Sequence, residues 1–158
     1  MEGFTLGLAL VDAIPVLSFG ISMVIIASRF DSPLFMIGAA LSVLAGCCKV
    51  AWKLVLGLTK KDIKWLNKPF LPMQITGFGF IFGSCITSLT KIDWPEVLAA
   101  VTGFPSILFF TVWIALMFTM SWYRKHKFQR NDAKSNWTAQ IINAIGQTAL
   151  LLGILFAG

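Results

Sequence analysis

Charged side chains are scarce in this chain, at 13% of its 158 residues. An ordinary soluble domain carries roughly twice that share. Histidine is scarcer still. His126 stands alone in a basic stretch, so zinc sites that need a Cys/His pair are excluded, and so is the H-E-x-x-H motif. A serine–histidine–acid site lacks its nucleophile elbow. Phosphate-binding and dinucleotide fingerprints are missing. The last apolar run contains no lysine for a retinal Schiff base. Three cysteines, Cys47, Cys48 and Cys85, do not form a disulfide framework, and a bridge between the adjacent pair would be strained. Cys47, flanked by apolar residues, is expected to be buried and inert. No catalytic residue, metal site or cofactor is expected. A cleavable signal peptide is not expected either, because Glu2 replaces a basic start and Asp12 and Pro15 interrupt the first apolar run.

Apolar sequence is abundant: 57% of the chain is hydrophobic and the mean hydropathy is +0.80. This places the chain in the membrane class, as one all-α polytopic domain with five transmembrane helices. The spans are expected at about 4–28, 33–58, 71–89, 105–123 and 137–157. Ser32 and Pro33 form a helix start after the tight turn Arg29–Ser32, and Asp93-Trp94-Pro95-Glu96 forms another. Gly38, Ser42 and Gly46 recur every four residues in the second span, and Gly79-x-x-x-Gly83 lies in the third. Both are expected to be packing surfaces. Gln74, Gly77, Ser84 and Ser88 form a polar line on the third span.

The net charge of +6 has a positional explanation. Six lysines lie between Lys49 and Lys68, and Arg124, Lys125, Lys127, Arg130 and Lys134 follow the fourth span. The other two connections hold only Arg29 and Lys91. This bias predicts a cytoplasmic N-terminus, an outside C-terminus, cytoplasmic connections at about 59–70 and 124–136, and a multi-pass protein of the cell membrane. Nucleic-acid binding is not expected, because the long basic faces it needs are missing. Lys60, Lys61, Lys64, Lys68, Arg124 and Lys125 form a rim suited to anionic lipid headgroups.

The candidate site lies among the few polar residues inside the spans. Asp12 costs about 2.5–3.5 kcal/mol to insert, which makes an intramembrane acid a functional candidate. Asn136, Gln140, Asn143 and Gln147 form a carboxamide stripe on one face of the last span. Asp12, Lys49, Gln74, Gln140, Asn143 and Gln147 are therefore expected in the cytoplasmic half. There Asp12 would lie within one water of Lys49 or of a span-five carboxamide. Lys49 and Lys53 also fit a snorkelling role. The leading functional expectation is transport or binding of a small polar solute, cation or proton in a cytoplasm-facing cavity. The alternative is an accessory or interaction subunit of a membrane complex, and a third is an enzyme acting on anionic lipid headgroups. A homo-oligomer is a further candidate partner arrangement.

Overall fold

The computed structural model describes residues 6–29, 32–129 and 132–158. Phe4, Glu2, the Phe30-Asp31 centre of the first turn and Arg130 lie outside the described residues. The described residues form helices and connections with no strand. In chain order the helices are α1 (Leu6–Arg29), α2 (Pro33–Thr59), α3 (Lys64–Asn67), α4 (Phe70–Thr87), α5 (Trp94–Thr102), α6 (Ser106–His126) and α7 (Ala133–Phe156). Five helical segments are long and apolar enough to cross a membrane: α1, α2, α3–α4 taken together, α6 and α7.

Local chemistry sets the helix ends. Ser32 accepts a hydrogen bond from Phe35 N, and Pro33 supplies the first helical residue of α2. Asp93 accepts from Glu96 N at the start of α5, and Asp132 accepts from Ser135 N at the start of α7. α2 stops at Lys60, whose left-handed backbone (φ 59°) lets its N–H reach Leu56 O. Pro15 lies inside α1, and the helix continues through it.

α1 is the central helix. It packs between α2 and α7; α4 lies beyond α2, and α6 lies beyond α7. The Phe19 ring of α1 also meets Phe78 of α4 edge to face, at 6.1 Å. Cross-helix contacts fix the directions. Gly46 lies against Val16 and Gly20 against Val43, while Gly38 lies against Gly77 and Gly83 against Leu34, so α2 runs antiparallel to both α1 and α4. Ser18 pairs with Thr148 at 3.4 Å, and Arg29 packs on Gly158, so α1 and α7 run parallel. α6 returns antiparallel to α7, with Gly153 on the Phe110 ring and Tyr123 beside Ser135. The α2–α4 and α6–α7 connections therefore share one end of the bundle, here termed the basic end.

At the far end, Met23, Phe35 and Ala39 form a small core with Phe19, Ile26 and Ile81 around it. The α2–α4 contact is very close: a Cβ added at Gly38 would fall 2.6 Å from Gly77 O. Of the expected packing devices, Gly38 and Ser42 face α4, whereas Gly46 faces α1. Gly79 has open space around it, and Gly83 meets only the Leu34 side chain of α2 at an ordinary 3.8 Å, so the closest approach is not made by the Gly79-x-x-x-Gly83 pair. Gly77, two residues earlier and on another side of α4, makes that approach instead. Cys47 is exposed rather than buried, because it lies on the side of α2 turned away from α4. Cys47, Cys48 and Cys85 are all free thiols.

Candidate functional site

Asp12 occupies the buried side of α1, with Leu8 and Pro15 on the same face. The opposite side presents Leu10, Ile14, Leu17, Ile21 and Val24, all exposed. A carboxylate so enclosed needs a counter-charge. The lysine that supplies it is Lys53, whose Nζ lies 2.8 Å from Asp12 Oδ2. Only 6% of the Lys53 side chain and 7% of the Asp12 side chain are exposed.

Lys49, the expected partner, is not the one that meets Asp12. The antiparallel register brings Asp12 level with the stretch between Lys49 and Lys53. One helical turn separates the two lysines, and the rotation of α2 chooses between them. Lys53 turns toward α1. Lys49 turns toward α4, where its Nζ sits 4.3 Å from the centre of the Phe70 ring. The sequence reading gave Lys53 only a snorkelling role. No sequence signal separates the two lysines, because the Gly46–Val16 approach that goes with this register exists only in the fold.

The carboxamide stripe divides. Asn136 is buried, and its Nδ2 donates to Asp132 O at 2.9 Å, so it serves the start of its own helix. Beside it the Ser135 hydroxyl joins Tyr123 Oη at 3.1 Å and accepts from Gln129 N at 2.9 Å. This polar knot closes the α6–α7 turn. Gln140 and Asn143 are half-buried on α7. Gln147 lies deeper, and its Oε1 is enclosed without a hydrogen-bond partner among the described residues. Trp113 Nε1 of α6 is enclosed and unpartnered in the same way. Ser18 and Thr148 lie at the α1–α7 contact, and sequence reasoning had singled out neither.

Gln74 is half-buried on α4. In its polar line Ser84 is fully buried and donates to Ser32 Oγ at 2.6 Å, which joins α4 to the start of α2. The expected rim residues Lys60, Lys61, Lys64, Lys68, Arg124 and Lys125 are all exposed at the basic end. Trp65 among them is 72% exposed. Trp52 Nε1 donates to Asp62 Oδ1 at 2.9 Å, which fastens this connection to α2. The His126 ring lies tilted at 38° to that of Trp122, with the ring centres 5.6 Å apart. A shallow groove of about 320 Å³ between α1 and α2 is lined by Val16, Leu17, Gly20, Ile21 and Val43. It is apolar.

No group of three or more metal-binding side chains occurs among the described residues. No protein family, curated protein or solved structure matches this chain.

Proposed function

We propose that this chain is a multi-pass protein of the cell membrane, with the N-terminus cytoplasmic, in which the Asp12–Lys53 pair locks α1 to α2. We further propose that it serves as an accessory or interaction subunit rather than a carrier that binds a cation at Asp12. The enclosed 2.8 Å ion pair carries this reading. A carboxylate already neutralised by an ammonium has little attraction left for a solute cation or a transported proton. The orientation is supported by the shared end of the basic connections.

A second reading, a binding or transport path for a small polar solute, is favoured by a separate observation. Trp113 Nε1 and Gln147 Oε1 offer an unused donor and an unused acceptor on neighbouring helices, among apolar surroundings.

Asp12→Asn in reconstituted vesicles separates the two. In the accessory reading, the substitution lowers thermal stability and leaves proton and cation flux at the level of protein-free vesicles, as in the parent protein. Flux in the parent protein that Asp12→Asn abolishes, with stability unchanged, would sink it. Cysteine labelling in sealed vesicles tests the orientation. Lys61→Cys and Lys91→Cys should react from opposite sides.

A further inference from the structure

We propose that the α2–α4 connection is a docking surface for anionic lipid headgroups, formed by Lys60, Lys61, Lys64 and Lys68 around Trp65. Its inner side is the anchor. α3 packs on α2, and Leu66 and Phe70 are half-buried. Asp62 is the only acid between Thr59 and Phe70. It is half-buried, and its Oδ1 accepts from Nε1 of the buried Trp52 at 2.9 Å. This bond pins the connection to α2 and commits its carboxylate to the inner side.

The outer side is basic. Lys60, Lys61, Lys64 and Lys68 are all exposed. Among the described residues the ion pair is Asp12–Lys53, so a carboxylate neutralises none of the four. Lys64, Trp65 and Lys68 fall within about 100° of one another around the helix, away from Leu66. Trp65 is 72% exposed. The far end is arranged differently. Trp94 turns its indole N–H to Leu89 O at 3.0 Å, and the acids Asp93 and Glu96 outnumber Lys91 there. Depth decides what meets the outer side. α3 and α4 together form one span-length segment, Lys64–Thr87, and Lys64 to Lys68 are its first turn. That is the level at which a span leaves hydrocarbon and enters the headgroups. An indole settles at this level, and ammonium groups beside it attract anionic headgroups.

The proposal rests on the membrane reading above, and the experiment keeps the two apart. The full chain is reconstituted in phosphatidylcholine vesicles with a minor share of phosphatidylglycerol. Either lipid in turn carries brominated acyl chains, which quench tryptophan emission on contact. The emission of Trp65 is the difference between each protein and its Trp65→Phe counterpart. In wild type, brominated phosphatidylglycerol is expected to quench Trp65 about threefold more strongly than the same mole fraction of brominated phosphatidylcholine. Lys60→Gln, Lys61→Gln, Lys64→Gln and Lys68→Gln together should bring the two lipids level. Lys64→Gln with Lys68→Gln should give an intermediate ratio, and serves if the quadruple variant does not fold. Lys91→Gln, at the far end, should match wild type. Salt at about 1 M, where the Debye length is about 3 Å, should shrink the wild-type preference. Equal quenching by the two lipids in wild type overturns the proposal, as does a preference that survives the four substitutions. A Trp65 that neither lipid quenches also overturns it, and leaves the surface to an acidic protein partner. Release of the chain by an alkaline carbonate wash overturns the membrane reading and this proposal with it. Retention through the wash with equal quenching overturns this proposal alone.

Discussion

α2 is held at its far end and at its basic end by different forces. At the far end it meets α4 through Gly38, Ser42 and Gly77, backbone against backbone, with the Ser84–Ser32 hydroxyl pair beyond them. At the basic end it meets α1 through an enclosed ion pair and meets α4 through a lysine over a ring. Close packing of small residues depends on shape and loses its value gradually as the fit worsens. A buried ion pair contributes little net stability while intact, yet losing one partner strands a charge. The far end therefore sets how closely α2 and α4 approach. The basic end marks the register between α1 and α2, because a shift by one turn would take Asp12 off Lys53.

Breaking the ion pair should have the largest effect. Lys53→Met leaves Asp12 enclosed and unpaired, and should cost about 3–5 kcal/mol in equilibrium unfolding in mixed micelles. Asp12→Leu combined with Lys53→Met should recover most of that loss and fall within about 1 kcal/mol of wild type. A double variant as unstable as the single one would mean that the pair supplies more than charge balance.

The glycine contact should come next. Gly38→Leu places a side chain against the Gly77 carbonyl and the Ile81 backbone, and should cost about 2–3 kcal/mol by the same measurement. Gly79→Leu, in open space, should stay within about 0.5 kcal/mol of wild type. Equal effects at the two glycines would show that α4 packs through a different face.

The hydroxyl pair should be the smallest contributor. Ser32→Ala removes both the α2 cap and the acceptor for Ser84, and should cost about 1 kcal/mol. Ser84→Ala removes only the second bond and should cost less. A larger loss at Ser84 would place the main role of the pair in joining α4 to α2 rather than in starting α2.

The apolar runs were enough to locate the span-length helices, since a stretch of about 20 apolar residues reads directly as one long helix. Ser32-Pro33 and Asp93-Trp94-Pro95-Glu96 were enough to locate two helix starts, because capping is a contact between near neighbours in sequence. The positions of the lysines and arginines implied which connections share an end. The polar residues worth following were also legible: Asp12, Lys49 and the α7 carboxamides stand out against an apolar background. Their partners were not. Whether Asp12 meets Lys49 or Lys53 depends on the rotation of α2 about its axis, and one turn of slippage exchanges them. Whether Gly77 or Gly79 carries the close approach depends on which side of α4 faces α2. Periodicity defines a face of a helix but not its neighbour. The neighbour is decided when all the helices pack at once, and here the approach of Gly38 to the Gly77 backbone and of Gly46 to the Val16 side chain goes with that rotation and register.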